Sequence, residues 1–161
     1  MSSFDQLTQQ LREALEKCPS LQQVHIQSAF PPQKRPFPLR TPTLCISIKE
    51  ITVEEGGLGG VVSGPQIGTI SGQRCTLDFS IDILCPISHG TSGCQTIFSN
   101  LCNAIFSEEN LPVRATRLGA SSPEYSKEND CFLQQCVLHT SILMTTEETG
   151  LPITDFVIRR A

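Results

Sequence analysis

Tryptophan is missing from the 161 residues, tyrosine occurs once and methionine twice. Charge is sparse as well, at 17% of residues, and the net formal charge is −4. A nucleic-acid-binding surface would want a basic stripe, and the negative net charge argues against one. Membrane-helix runs of about 20 apolar residues are also lacking. The start, Met1-Ser-Ser-Phe-Asp5, has no basic segment followed by an apolar one, so it does not read as a secretory signal. No Gly-x-Gly-x-x-Gly opening a helix and no Gly-Lys-Ser/Thr phosphate loop occurs, and no metal-binding or nucleophile motif stands out. The sequence predicts no catalytic residue, no cofactor and no metal ligand.

The chain does hold eight cysteines: Cys18, Cys45, Cys75, Cys85, Cys94, Cys102, Cys131 and Cys136. None is spaced Cys-x-x-Cys, which sets aside the usual zinc and redox patterns. Most fall on apolar stripes, where a thiol behaves as a small hydrophobe. Cys94 and Cys102 are eight residues apart on one helix, about 12 Å, too far to bridge. Buried free thiols are the expectation.

The clearest pattern is the run from Arg74 to Cys85. Cys75, Leu77, Phe79, Ile81, Ile83 and Cys85 occupy its odd positions, and Thr76, Asp78, Ser80 and Asp82 its even ones. Side chains alternate across a strand, so this is a long strand with one buried face. Asp78 and Asp82 lie on the other face, about 13 Å apart, too far for a shared catalytic pair. They are expected to be surface charges.

Two helices are predicted. The first spans Ser3 to Lys17, with Ser3 and Gln6 as a capping box and Pro19 as its stop; Phe4, Leu7, Leu11, Leu15 and Cys18 form its apolar stripe. The second follows His89-Gly-Thr-Ser-Gly, capped by Ser92 and Gln95, with Cys94, Ile97, Phe98, Leu101, Cys102, Ile105 and Phe106 on one side. His89, Ser92 and Cys94 lie close in sequence, but Cys94 is on the core stripe and no base or oxyanion element accompanies it.

Strands are expected at Gln22 to Phe30 and at Leu44 to Val53. In the second, Leu44, Ile46 and Ile48 share one phase and Ile51 and Val53 the other; a β-bulge near Lys49-Glu50 explains the slip. Between the two, 31–42 carries five prolines and is expected to be a connection or an edge. Further strands are expected at Leu111 to Gly119, with Arg114 and Arg117, at Cys131 to Thr145 as a central strand, and at Ile153 to Arg159. Ser121 to Asp130 is expected to be a polar turn.

Residues 54–73 contain seven of the eleven glycines and are expected to form a flexible loop in a single domain spanning 1–161. The loop's Glu54, Glu55, Leu58, Val61, Val62 and Ile67 are candidates for contact with a neighbouring subunit, the alternative being a simple hairpin tip. This order of elements predicts an α+β layer, a mostly antiparallel sheet with two helices packed on one face.

The strand Cys75-Thr-Leu-Asp-Phe-Ser-Ile-Asp-Ile-Leu84, then Pro86, a glycine-containing turn and the helix Cys94-Gln-Thr-Ile-Phe-Ser-Asn-Leu-Cys-Asn-Ala-Ile-Phe106 resemble proteins of phage tail modules in Gram-positive bacteria and their prophages. The order along nearly the whole chain resembles the tail terminator family. The resemblance implies a tail-terminator-like fold and a structural role in the virion tail, assembled in the host bacterial cytoplasm. The subunit would join a homo-oligomer, a hexameric ring capping the tail tube protein and offering a docking face to a head-completion or neck protein. DNA would pass through the lumen without specific binding. It implies no enzyme activity, no cofactor and no membrane partner. Within such a ring Arg114 or Arg117 would meet Asp78, Asp82, Glu54 or Glu55 of a neighbour. A neck or head–tail connector subunit, a tail tube subunit and, from another class, a small α+β enzyme or ligand-binding domain remain as alternatives.

Overall fold

A computed structural model describes residues 2–28, 39–55, 61–63, 70–107, 109–147 and 157–160. Three long strands form the frame: β2 (Thr43–Glu55), β4 (Ile70–Cys85) and β7 (Cys131–Glu147). The β4 and β7 strands pair antiparallel without interruption from Ile70 opposite Glu147 to Cys85 opposite Phe132. At about 3.4 Å per residue, this central ladder is roughly 50 Å long. β2 pairs antiparallel with the other side of β4. The free side of β7 is shared by β6 (Glu124–Ser126), β5 (Arg114–Ala120) and β8 (Val157–Arg160), all antiparallel to it. Among the described residues only β1 (His25–Ser28) runs parallel to its neighbour, beside the first part of β2, and β3 (Val61–Ser63) adds a short pairing to β4.

Both helices lie on one face of this sheet. α1 (Ser3–Glu16) packs over β1 and β2, and α2 (Gly90–Ser107) over β4, β7 and β5. Leu7, Leu11 and Leu15 of α1 share one core with Cys94, Ile97, Leu101 and Ile105 of α2 and with the odd residues of β4. All six odd residues from Cys75 to Cys85 are fully buried, as their alternation required. The chain is therefore an α+β layer, as the order of elements predicted. Seven cysteines are buried and Cys102 is half-buried, and none of the eight is joined in a disulfide.

The β-bulge is where the phase slip placed it. Ile48 opposes Phe79, Glu50 opposes Asp78, and Lys49 is the extra residue between them. A bulge lets two residues oppose one, so the side chains beyond it change parity without changing face. Leu44, Ile46 and Ile48 before the bulge, and Ile51 and Val53 after it, thus all face the helix side. Ile51 and Val53 lie on the stretch of sheet that runs past the helices, and they are 42% and 47% exposed.

Several expectations need correction. The helix cap is Ser2, not Ser3: its hydroxyl accepts from the Asp5 amide, and the Asp5 carboxylate accepts from Ser2. No Ser92–Gln95 box forms, because α2 already begins at Gly90, and the Ser92 hydroxyl donates to the His89 carbonyl. The polar turn at 121–130 contains strand β6. The glycine-rich stretch is not one loop from 54 to 73. β2 runs to Glu55 and β4 begins at Ile70, with Glu55 opposite Gln73 and Gly72 opposite Thr145. Ladder partners on both sides satisfy the backbone amides there, which outweighs the weak strand preference of glycine.

Candidate interface on the open sheet face

The face of the sheet away from the helices is partly covered at one end and bare at the other. At the covered end Cys45, Leu84 and Cys131 form a second small apolar cluster, with Leu39 and Leu133 packed on it. Leu39 lies a few residues before β2, and its side chain packs over this end of the sheet.

Asp82 lies beside that cluster, between Cys45 on β2 and Gln135 on β7. It is only 6% exposed, so its reading as a surface charge is wrong. Burial raises the pKa of its carboxyl, against a weaker opposing effect from the Ser80 hydroxyl, which donates to it at 3.3 Å. Periodicity showed which face Asp82 takes. It did not show that residues from three other parts of the chain cover that face.

Four rungs further along, the face is open and its register builds a row of titratable groups. Glu50, Asp78, His139 and Arg117 lie side by side on β2, β4, β7 and β5. Directly opposed residues on one face have Cβ atoms about 4.5–5.5 Å apart, so the four lie in one row across the sheet. His139 Nδ1 and the Asp78 carboxylate are 2.7 Å apart. Two rungs on, the row is Thr52, Thr76, Ser141 and Arg114; two rungs beyond that, Glu54 faces Arg74 and Arg74 faces Leu143. The row between the covered end and the charged one is small: Ser47, Ser80, Val137 and Gly119. The bare region is polar and graded in charge, acidic along β2 and basic along β5.

Asp78, Glu54, Arg114 and Arg117 of the candidate interface residues thus share this face, with Arg114 and Arg117 exposed on one margin and Glu54 exposed on the other. Within one subunit Arg117 and Asp78 are separated by the width of β7, so no direct ion pair is built between them. Glu55 closes β2 and Val61 and Val62 lie in β3, but their side chains, like Leu58 and Ile67, lie outside the described residues. The sequence reading missed Glu50 and His139. Asp78 and His139 are 61 residues apart, and only the β4–β7 register brings them together.

Nothing elsewhere among the described residues gathers the groups an active site uses. His89, Ser92 and Thr96 line an open cleft of about 530 Å³ between α2 and the turn at 19–24, but the Ser92 hydroxyl is bonded to backbone and Cys94 is buried in the core. A groove of about 480 Å³ lies between α1 and the edge of β2, lined by Asp5, Thr8, Gln9, Arg12 and Ile48 among others. In the core the Cys94 thiol donates to the Phe132 carbonyl, and burial raises the pKa of both Cys85 and Cys94, Cys85 the further. They are therefore poor nucleophiles. No cluster of histidine, cysteine and carboxylate side chains suited to a metal ion occurs among the described residues. No helix among them is long and apolar enough to cross a membrane. A scan of protein-family models and a search of curated proteins found no match to the chain.

Proposed function

We propose that the chain is a structural subunit of a phage or phage-like tail, a tail terminator that closes as a ring on the end of the tail tube. The resemblance of residues 74–107 to tail-module proteins motivates this reading. The observation that carries it is the charge gradient across the open sheet face, from Glu50 and Glu54 at one margin to Arg114 and Arg117 at the other. A cyclic ring needs two different, complementary patches on every subunit, and a surface acidic on one side and basic on the other supplies them. The net charge of −4 also suits a ring through which DNA passes without adhering.

The test is reconstitution on tubes. The purified chain is added to its own tail tube protein during polymerisation, and tube lengths and ends are imaged by electron microscopy. The reading expects tubes that stop growing and carry an extra ring at one end. Tubes of unchanged length with bare ends, at a large molar excess of the chain, refute it.

A further inference from the structure

We infer that the exposed edge of β2 pairs antiparallel with the exposed edge of β5 in a second copy of this chain, joining the sheets of neighbouring subunits head to tail. This rests on the ring reading and names the surfaces by which it closes.

The first observation is the state of the two edges. β1 covers β2 only from Thr43 to Ile46, so among the described residues Ser47–Glu55 has a strand partner on one side alone. Among the described residues β5 likewise pairs with β7 alone. Each edge leaves backbone N–H and C=O groups directed outward, a ready template for another strand. The second observation is direction. The strands alternate in sense from β2 through β4 and β7 to β5. A β2 strand placed beyond β5 therefore continues the alternation as an antiparallel pair, the more stable arrangement.

The third is chemical. At unshifted register Glu50 of one copy opposes Arg117 of the next, and Thr52 opposes Arg114, leaving Glu54 diagonal to Arg114. On the helix side Ile51, 42% exposed in the single chain, opposes Ala115, and Ile48 opposes Leu118. Opposite charges and apolar groups thus meet their own kind of partner on each face. Pairing of β2 with a second β2 is disfavoured, because the twofold that superposes the faces sets Glu50 against Glu54 when Thr52 is central. The last observation concerns register. Both edges occupy the same rungs of one sheet, so the contact needs no slip along the strands.

Charge exchange tests this. Glu50→Arg presents a basic group at both edges, and Arg117→Glu an acidic one at both, so neither variant should assemble with itself. Mixed one to one, each edge of one variant meets the opposite sign on the other, and assembly should return. Both are exposed positions, and circular dichroism with urea unfolding shows that the variants fold. Assembly is read by light scattering at high protein concentration, and hydrogen exchange should show residues 47–55 and 114–120 gaining protection as rings form. A ring that forms equally in wild type and both variants, with no gain of protection in β2, overturns the edge pairing and leaves the ring reading standing. A wild-type chain that stays monomeric both free and on tubes overturns both.

Discussion

Deleting one residue of β2 should be nearly harmless or severely damaging depending on its side of the bulge. Lys49 is the extra residue opposite no partner of its own, and it is exposed. Without it Ile48, Glu50 and Ile51 oppose Phe79, Asp78 and Leu77 in an unbroken ladder, with every side chain on the face it already occupies. The cost should stay within about 1 kcal/mol, the range of a surface change that breaks no ladder bond. Deleting Ser47 is different. The cheapest response keeps Leu44 and Ile46 in the core and lets the bulge absorb the change, moving Ile48 to the open face and setting Lys49 against Phe79. The alternative, sliding the start of β2, ejects Leu44 and Ile46, both fully buried. Ile48 is partly buried against the core, so its loss costs about 1 kcal/mol, and forcing the lysine stem inward with its ammonium held near apolar surface adds about 1–3 kcal/mol. The sum, about 2–4 kcal/mol, is a large part of the roughly 5–15 kcal/mol that stabilises a domain. At about 2–4 °C per kcal/mol for this size, the Ser47 deletion should melt roughly 5–15 °C lower than the Lys49 deletion. Scanning calorimetry of the two proteins with wild type decides it. Equal melting temperatures for the two deletions, or a larger loss from removing Lys49, would refute the bulge as the device that keeps one face apolar.

Other outcomes follow from the site. Asp82 has a raised pKa in the folded state, so the native protein holds that proton more tightly than the unfolded chain. Its favourable contribution exists below the ordinary carboxylate value and is lost as pH rises through the folded value; at neutral pH the buried charge costs stability. Asp82→Asn should therefore unfold at higher urea than wild type at pH 7, with the gap closing below about pH 4, where the unfolded carboxyl is protonated too. A gap of the opposite sign, or one independent of pH, would show that the cluster around Leu84 does not bury this group. A thiol reagent should label Cys102 first in the native protein and all eight cysteines after unfolding; rapid native labelling of Cys85 or Cys94 would contradict their place in the core. His139→Gln should change stability by less than about 1 kcal/mol, because the pair with Asp78 is partly exposed, with side-chain exposures of 37% and 21%. A larger loss in urea unfolding would mean the pair is shielded from water.

Local pattern was enough to determine the buried face of β4, the apolar stripe of α1, that of α2 as far as Ile105, and the bulge in β2; Phe106, expected on the α2 stripe, is 56% exposed. Each of these is a periodicity of 2 or 3.6, or a break in one, and the side chains concerned face a core whatever else surrounds them. The α+β class followed from their order. The ends of the long strands were not legible, because Gly72 and its neighbours carry turn composition and only the flanking ladders hold them extended. Asp82 and Asp78 look alike in the sequence, two carboxylates on alternate positions of one strand. Tertiary structure separates them: one is buried at the end of the sheet that carries the Cys45, Leu84 and Cys131 cluster, while the other lies beside His139 in a row across four strands. The sequence by itself decided which way each side chain points, since that is a property of the backbone repeat. What meets it there depends on registers between strands tens of residues apart, and those were decided only when the whole sheet formed.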